Sequence, residues 1–192
     1  MHHSFFSILF CFFSTIIPLT LQAYQSAHVI TLGYKVDKEG LEKNYVLFGL
    51  MSTGKLSTFG GLRDPDENDP KNTAAREMEE ESLGILGDQK NVRQLLRGVK
   101  PLSEVDGHIC YILPKKKYGN NLSRKFKKIR FNDSVELTKS QKEMVDIVAV
   151  NVETIREKIL NNESLLFEDN DGVLRPIRVE RVFIEAVMNG YF

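Results

Sequence analysis

The segment from Gly60 to Ile85, GGLRDPDENDPKNTAAREMEEESLGI, constrains this 192-residue chain more than any other. Asp69 followed by Pro70 is a helix start, because aspartate caps free backbone N–H groups and proline suits the first helical position. The helix runs to about Leu83, with Gly84 as its stop. On a 3.6-residue period Glu77, Glu80 and Glu81 share one face. Three stacked carboxylates repel one another, so that face costs stability unless a cation sits among them. Glu79 points to another side and reads as solvated charge. Ala74, Ala75, Met78 and Ser82 lie away from the acidic face and would pack on a sheet. The helix is therefore a candidate metal site with an apolar back.

Strand-forming runs flank it on both sides. Ala27 to Val36 and Asn44 to Met51 read as a hairpin around the turn Asp37–Gly40. Leu56 to Phe59 is a short strand that delivers the chain to Gly60 and Gly61. Beyond the helix, Val105 to Leu113 and Glu143 to Val150 are strands, the second buried by its apolar run MVDIVAV. Val152 to Leu160 begins a helix, and Pro176 to Met188 is an amphipathic one. Strands before and after a central helix predict a mixed α/β sandwich of one domain, with ample apolar content for a core.

Charge is balanced overall, with 26 basic and 26 acidic residues, but it is segregated along the chain. Residues 64 to 81 hold eight acids against Lys71 and Arg76. Residues 115 to 130 hold eight bases and no acid. Such segregation suits a site that gathers a cation and an anionic ligand together. Tyr118, Phe126 and Phe131 are interleaved with the basic run and could stack on bases. A mobile surface hairpin of solvated charge is the plainer reading of the same run.

Residues 1 to 23 belong to a different physical class. Phe5 to Leu21 is almost wholly apolar, is broken by Pro18 and ends at Gln22-Ala23. It reads as a secretory signal peptide cleaved after Ala23, with a membrane anchor as the alternative. Secreted or periplasmic export follows, or a cytoplasmic location if the start lies downstream. Once that segment is removed Cys110 is the one cysteine left, so no intramolecular disulfide can form. Cys110 and His108 sit in an apolar run and read as core or pocket residues.

The Gly60–Ile85 segment resembles the Nudix box, whose pattern is filled by Gly61, Glu67, Arg76, Glu77, Met78, Glu80, Glu81, Gly84 and Ile85. Two one-residue insertions depart from the pattern. Eight residues separate Glu67 from Arg76, and Ser82-Leu83 precede Gly84. Neither changes the spacing of the three glutamates. The resemblance implies a Nudix-like α/β/α sandwich with a mixed sheet over residues 24–192. It also implies hydrolysis of a pyrophosphate that joins a nucleoside to another group. Glu77, Glu80 and Glu81 are then the ligands of Mg²⁺, or of Mn²⁺. Arg76 holds a carboxylate, Glu67 orients Arg76 or binds metal through water, and Gly60 and Gly61 let backbone approach the substrate. Glu143, with Glu136 behind it, is the candidate for a further catalytic carboxylate outside the box.

Three functions of different class follow. The first is a Mg²⁺-dependent pyrophosphohydrolase acting on a nucleotide-type small molecule. The second is a module of the same form that binds a nucleotide without cleaving it. The third is an RNA-binding or decapping protein that uses residues 115–130.

Overall fold

A computed structural model describes residues 24–119, 121–177 and 181–191. Residues 1–23, read from the sequence as a signal peptide, lie outside the described residues. The organising element is β1 (Ser26–Val36), a strand of 11 residues whose two halves have different neighbours. Its first half pairs antiparallel with β4 (Phe59–Leu62) and parallel with β6 (His108–Ile112). Its second half pairs antiparallel with β2 (Glu42–Met51) and parallel with the short β7 (Lys116–Lys117). β2 in turn carries β3 (Leu56–Ser57) and β8 (Met144–Asn151), and β5 (Ser103–Val105) hairpins onto β6. The result is a mixed sheet.

Alternation along β1 decides which layer each face meets. Ala27 and Val29 point to the side where α1 (Pro70–Ser82) lies, packing with Phe59, Ala74, Ala75 and Met78. Ile30 and Leu32 point to the other side, where Ile155 of α4 (Val152–Leu160) and Phe183 of α5 (Arg181–Met188) complete a second core. Helices thus cover both faces, the α/β/α arrangement expected of the chain. Burial of large side chains such as Phe48, Phe59 and Tyr111 in these layers stabilises by about 1.5–3 kcal/mol each.

α1 begins as its sequence dictates: Asp69 accepts from the Lys71 N–H and Pro70 opens the helix. Its end differs. Leu83, at φ 53°, already adopts the left-handed conformation that usually falls to glycine, and Gly84 follows at φ 71°. Its side chain packs against the first core, and that contact offsets the strain. The extra residue before Gly84 is absorbed here, beyond the last glutamate. α2 (Gln89–Leu95), which no periodic signal announced, follows at once. Glu79 receives the Gln89 N–H at its start, so this side chain joins two helices.

Several expectations change. The strand foreseen from Leu56 to Phe59 breaks at Thr58, and Gly60 and Gly61 lie within β4 instead of following a strand. The run Val105 to Leu113 is a hairpin, because Asp106 and Gly107 turn at positive φ between β5 and β6. His108 is exposed at the start of β6, so it is no core residue. The basic run is no mobile hairpin: most of it forms α3 (Leu122–Arg130), laid across β8. Pro176, foreseen at the start of the last helix, instead belongs to β10 (Leu174–Pro176), which pairs with β9 (Leu166–Glu168); residues 178–180 of that foreseen helix lie outside the described residues.

Candidate functional site

β4 and α1 bring the glycine pair against the acidic face. A Cβ placed on Gly61 would stand 2.5–2.7 Å from the carboxyl group of Glu77. Gly60, at φ 151°, has no room either, with the Ala27 carbonyl and His28 2.5–2.6 Å from such an atom. Its N–H donates to Glu81 Oε2 at 2.8 Å. Only glycines let β4 lie this close to Glu77 on one side and to β1 on the other.

The three glutamates are not equivalent. Glu81 is 4% exposed and Glu77 8%, whereas Glu80 is half-buried. Burial drives the Glu81 carboxyl up to about 8; Glu77, Glu143 and Glu80 add repulsion, and the Gly60 N–H opposes it. Burial raises Glu77 as well, against the pull of Arg76. Two desolvated carboxylates one helical turn apart are therefore held short of positive charge. Glu143, at the end of the 3₁₀ turn Ser140–Lys142, faces them across the cleft.

Arg76 supplies part of that charge. Its Nη1 donates to Glu77 Oε1 at 2.8 Å and stands 3.6 Å from Glu80 Oε2. Its Nε donates to Glu67 Oε1 at 3.1 Å and pairs with Asp64 at 3.2 Å, and Nη2 donates to the Leu62 carbonyl at 3.0 Å. Burial opposes the guanidinium charge, but Glu67 and Glu77 more than offset it. Burial would also raise Glu67, yet hydrogen bonds from Arg76 and Thr73 hold it below the usual carboxylate value. Asp64 and Thr73 thus join the clamp, although nothing in their spacing singled them out.

Among the described residues no three His, Cys, Asp or Glu side chains already converge on one cation position. Arg76 stands beside two of the three glutamates, donating to Glu77 and pairing with Glu80. The donor set nevertheless fits a hard divalent ion: oxygen ligands only, two of them buried and under-neutralised. Glu77, Glu80 and Glu81 are the side chains that would hold it.

Two cavities meet at Gly60 and Glu143. The outer cleft, about 650 Å³, exposes Asp64, Arg76, Glu77, Glu80 and Lys139. The inner cavity, about 120 Å³, runs back to His28, Ser57, Thr58 and Cys110 under Phe183 of α5, with Glu81 in its wall. His28, Ser57 and Thr58 carry no sequence signal, since strand pairing alone gathers them. Glu136 is exposed and lines neither cavity.

The basic segment stands elsewhere. Phe126 is fully buried in the first core, and Tyr118 packs edge-on against Tyr45 with Lys35 over its ring. Neither can stack on a base; Phe131 alone of the three is exposed. Lys115 pairs with Glu42, Lys127 with the buried Asp146 and with Asp171, and Arg130 donates to the carbonyls of Met144 and Lys142. Three of the eight bases are thus paired, and two of them, Lys127 and Arg130, tie α3 to its surroundings.

No protein-family model matches this chain, and no curated protein matches it. Among solved structures it is similar to a Nudix hydrolase of M. smegmatis, RenU, at 12% identity. That superposition covers 88% of this chain and 84% of the other with a TM-score of 0.42. A likeness that distant establishes neither family nor activity for this chain.

Proposed function

We propose that this chain is a divalent-cation-dependent hydrolase that splits the pyrophosphate of a nucleoside diphosphate joined to another moiety. The observation that carries the reading is the pair of buried, under-neutralised carboxylates, Glu77 and Glu81, pressed against Gly60 and Gly61 at the mouth of a cleft. A bound Mg²⁺ or Mn²⁺ supplies neutralisation of the pyrophosphate oxygens and activation of the attacking water. The chain supplies placement. Gly60 and Gly61 leave the backbone bare, so phosphate oxygens can approach β4 without meeting a side chain. Glu67 and Asp64 hold Arg76, and Arg76 fixes Glu77 at the helix face. Lys139, on the far wall of the cleft, offsets the charge of the incoming anion. Hydrolysis adds water across the P–O–P linkage and releases a proton, which Glu143 is placed to accept across the cleft.

A nucleotide panel with Mg²⁺ or Mn²⁺ tests the reading through release of phosphate-bearing products. Glu80→Gln at the wild-type rate sinks the assignment of the acidic face. Tight binding with no turnover on any member of the panel favours a nucleotide-binding module instead.

A further inference from the structure

We propose that Tyr24 is a positioning residue of the acidic face: through Thr73 and Glu67 it fixes the Arg76 guanidinium, and Arg76 in turn fixes Glu77. The hydrogen-bonded relay stands on its own geometry, and its bearing on a bound cation rests on the hydrolase reading above.

The relay is continuous. The Tyr24 hydroxyl lies 2.8 Å from Thr73 Oγ1, and Thr73 Oγ1 donates to Glu67 Oε2 at 2.5 Å. Glu67 Oε1 accepts from Arg76 Nε at 3.1 Å, and Arg76 Nη1 donates to Glu77 Oε1 at 2.8 Å. A residue just ahead of β1 is thus joined, side chain by side chain, to the middle of α1.

Chemistry fixes its direction. A carboxylate accepts and cannot donate, so the single hydrogen of Thr73 Oγ1 goes to Glu67. The Tyr24 hydroxyl is then the donor to Thr73. Hydroxyls that donate in one direction polarise each other, so Thr73 binds Glu67 more strongly with Tyr24 behind it.

Glu67 needs this support because it lies in the irregular segment 63–69, outside any helix or strand. Thr73 and Arg76 of α1 hold its carboxylate, together with the Asp64 N–H at 3.2 Å. Thr73 is fully buried, so water cannot stand in for a hydroxyl lost there.

Both ends of the relay rest on the pairing of β1 with β4. The Arg63 N–H donates to the Gln25 carbonyl at 2.9 Å, and the Arg63 guanidinium lies 5.4 Å from the centre of the Tyr24 ring. At the other end Arg76 Nη2 donates to the carbonyl of Leu62, the residue opposite Ser26 in that pairing. A guanidinium fixed on its Glu67 side presents Nη1 to Glu77 in one place. Glu77 then meets a cation with little rotamer freedom left to lose.

Tyr24→Phe, Thr73→Val and Thr73→Ser test this, each read by solvent exchange of the Arg76 Nε–H in nuclear magnetic resonance and by calorimetric titration of Mn²⁺. Tyr24→Phe should speed exchange and weaken Mn²⁺ binding about threefold, and Thr73→Val about tenfold. Thr73→Ser keeps the hydroxyl and should match wild type. Tyr24→Phe combined with Thr73→Val should bind Mn²⁺ no more weakly than Thr73→Val alone, because the relay is already cut. Exchange unmoved in Tyr24→Phe and Thr73→Val overturns the proposal. Effects of the two that add, or faster exchange at unchanged Mn²⁺ affinity, overturn it too, since either leaves Tyr24 a merely structural residue. If Mn²⁺ binding responds as expected and no nucleotide is cleaved, the hydrolase reading fails and the relay stands. If a nucleotide is cleaved at the same kcat/KM in every variant, the relay fails alone. A wild-type chain that binds no Mn²⁺ overturns both.

Discussion

α1 and α3 carry comparable densities of charge and opposite signs, yet they do different things with it. On α1 the carboxylates of Glu77 and Glu81 are pressed into the sheet by the helix's own apolar back, so their charge is desolvated and under strain. On α3 Phe126 is the anchor, and Arg124, Lys125 and Lys128 hang in water. Charge that water screens costs little and asks for nothing. Charge held under a sheet needs a partner, and that need makes α1 the site and α3 a buttress.

The contrast can be broken experimentally, first on α1. Glu81→Gln keeps the hydrogen bond from Gly60 but removes the buried charge; kcat is expected to fall by about 10²–10³-fold in a steady-state assay, with Tm unchanged or higher. Gly61→Ala drives a methyl group into the Glu77 carboxyl and should cost about 10²-fold in kcat/KM, while far-ultraviolet circular dichroism stays that of the folded chain.

Stability against pH separates the two helices next. The folded Glu81 carboxyl titrates at about 8 against a usual value of 4.5, so between those values the folded chain binds more protons than the unfolded one. Its contribution to stability is full below about 4.5 and is lost as pH rises through about 8. In metal-free buffer Tm should therefore fall across that window. Millimolar Mg²⁺ or Mn²⁺ should flatten the fall in wild type, and Glu81→Gln should remove it without metal.

On α3 the effects shrink. Lys127→Ala unpairs the buried Asp146, although Ser123 and Asn170 still donate to it; a loss of about 1–2 kcal/mol by urea titration is expected. Reversing Arg124, Lys125 and Lys128 together should shift stability by less than about 0.5 kcal/mol and leave turnover unchanged. RNA affinity that falls steeply with salt and disappears in this triple variant would show that α3 has a ligand of its own.

The acidic helix was legible because everything that makes it is local. Asp69 and Pro70 start it, the 3.6-residue period sorts carboxylates from alanines, and both insertions fall in loops or past the last glutamate. The hairpin of β1 and β2 was legible for the same reason, since β-branched runs flank a turn. The hairpin of β5 and β6 was hidden because Asp106 and Gly107 sit inside an otherwise strand-like run. α3 was hidden because Phe126 is its one fully buried side chain, which among so many lysines reads as a loop aromatic.

By itself the sequence determined which side chains share the acidic face, because helical periodicity acts within four residues. Only the tertiary structure decided which of them lose water. Glu81 is buried because β4 crosses it at Gly60, and Glu80, its neighbour in sequence, stays half in solvent. The inner cavity belongs wholly to that second level. The pairing of β1 with β4 and β6 gathers His28, Thr58 and Cys110, the pairing of β2 with β8 brings up Glu143, and α5 adds Phe183. Local spacing can name the groups that hold a charge, but long-range strand pairing builds the walls that choose a ligand.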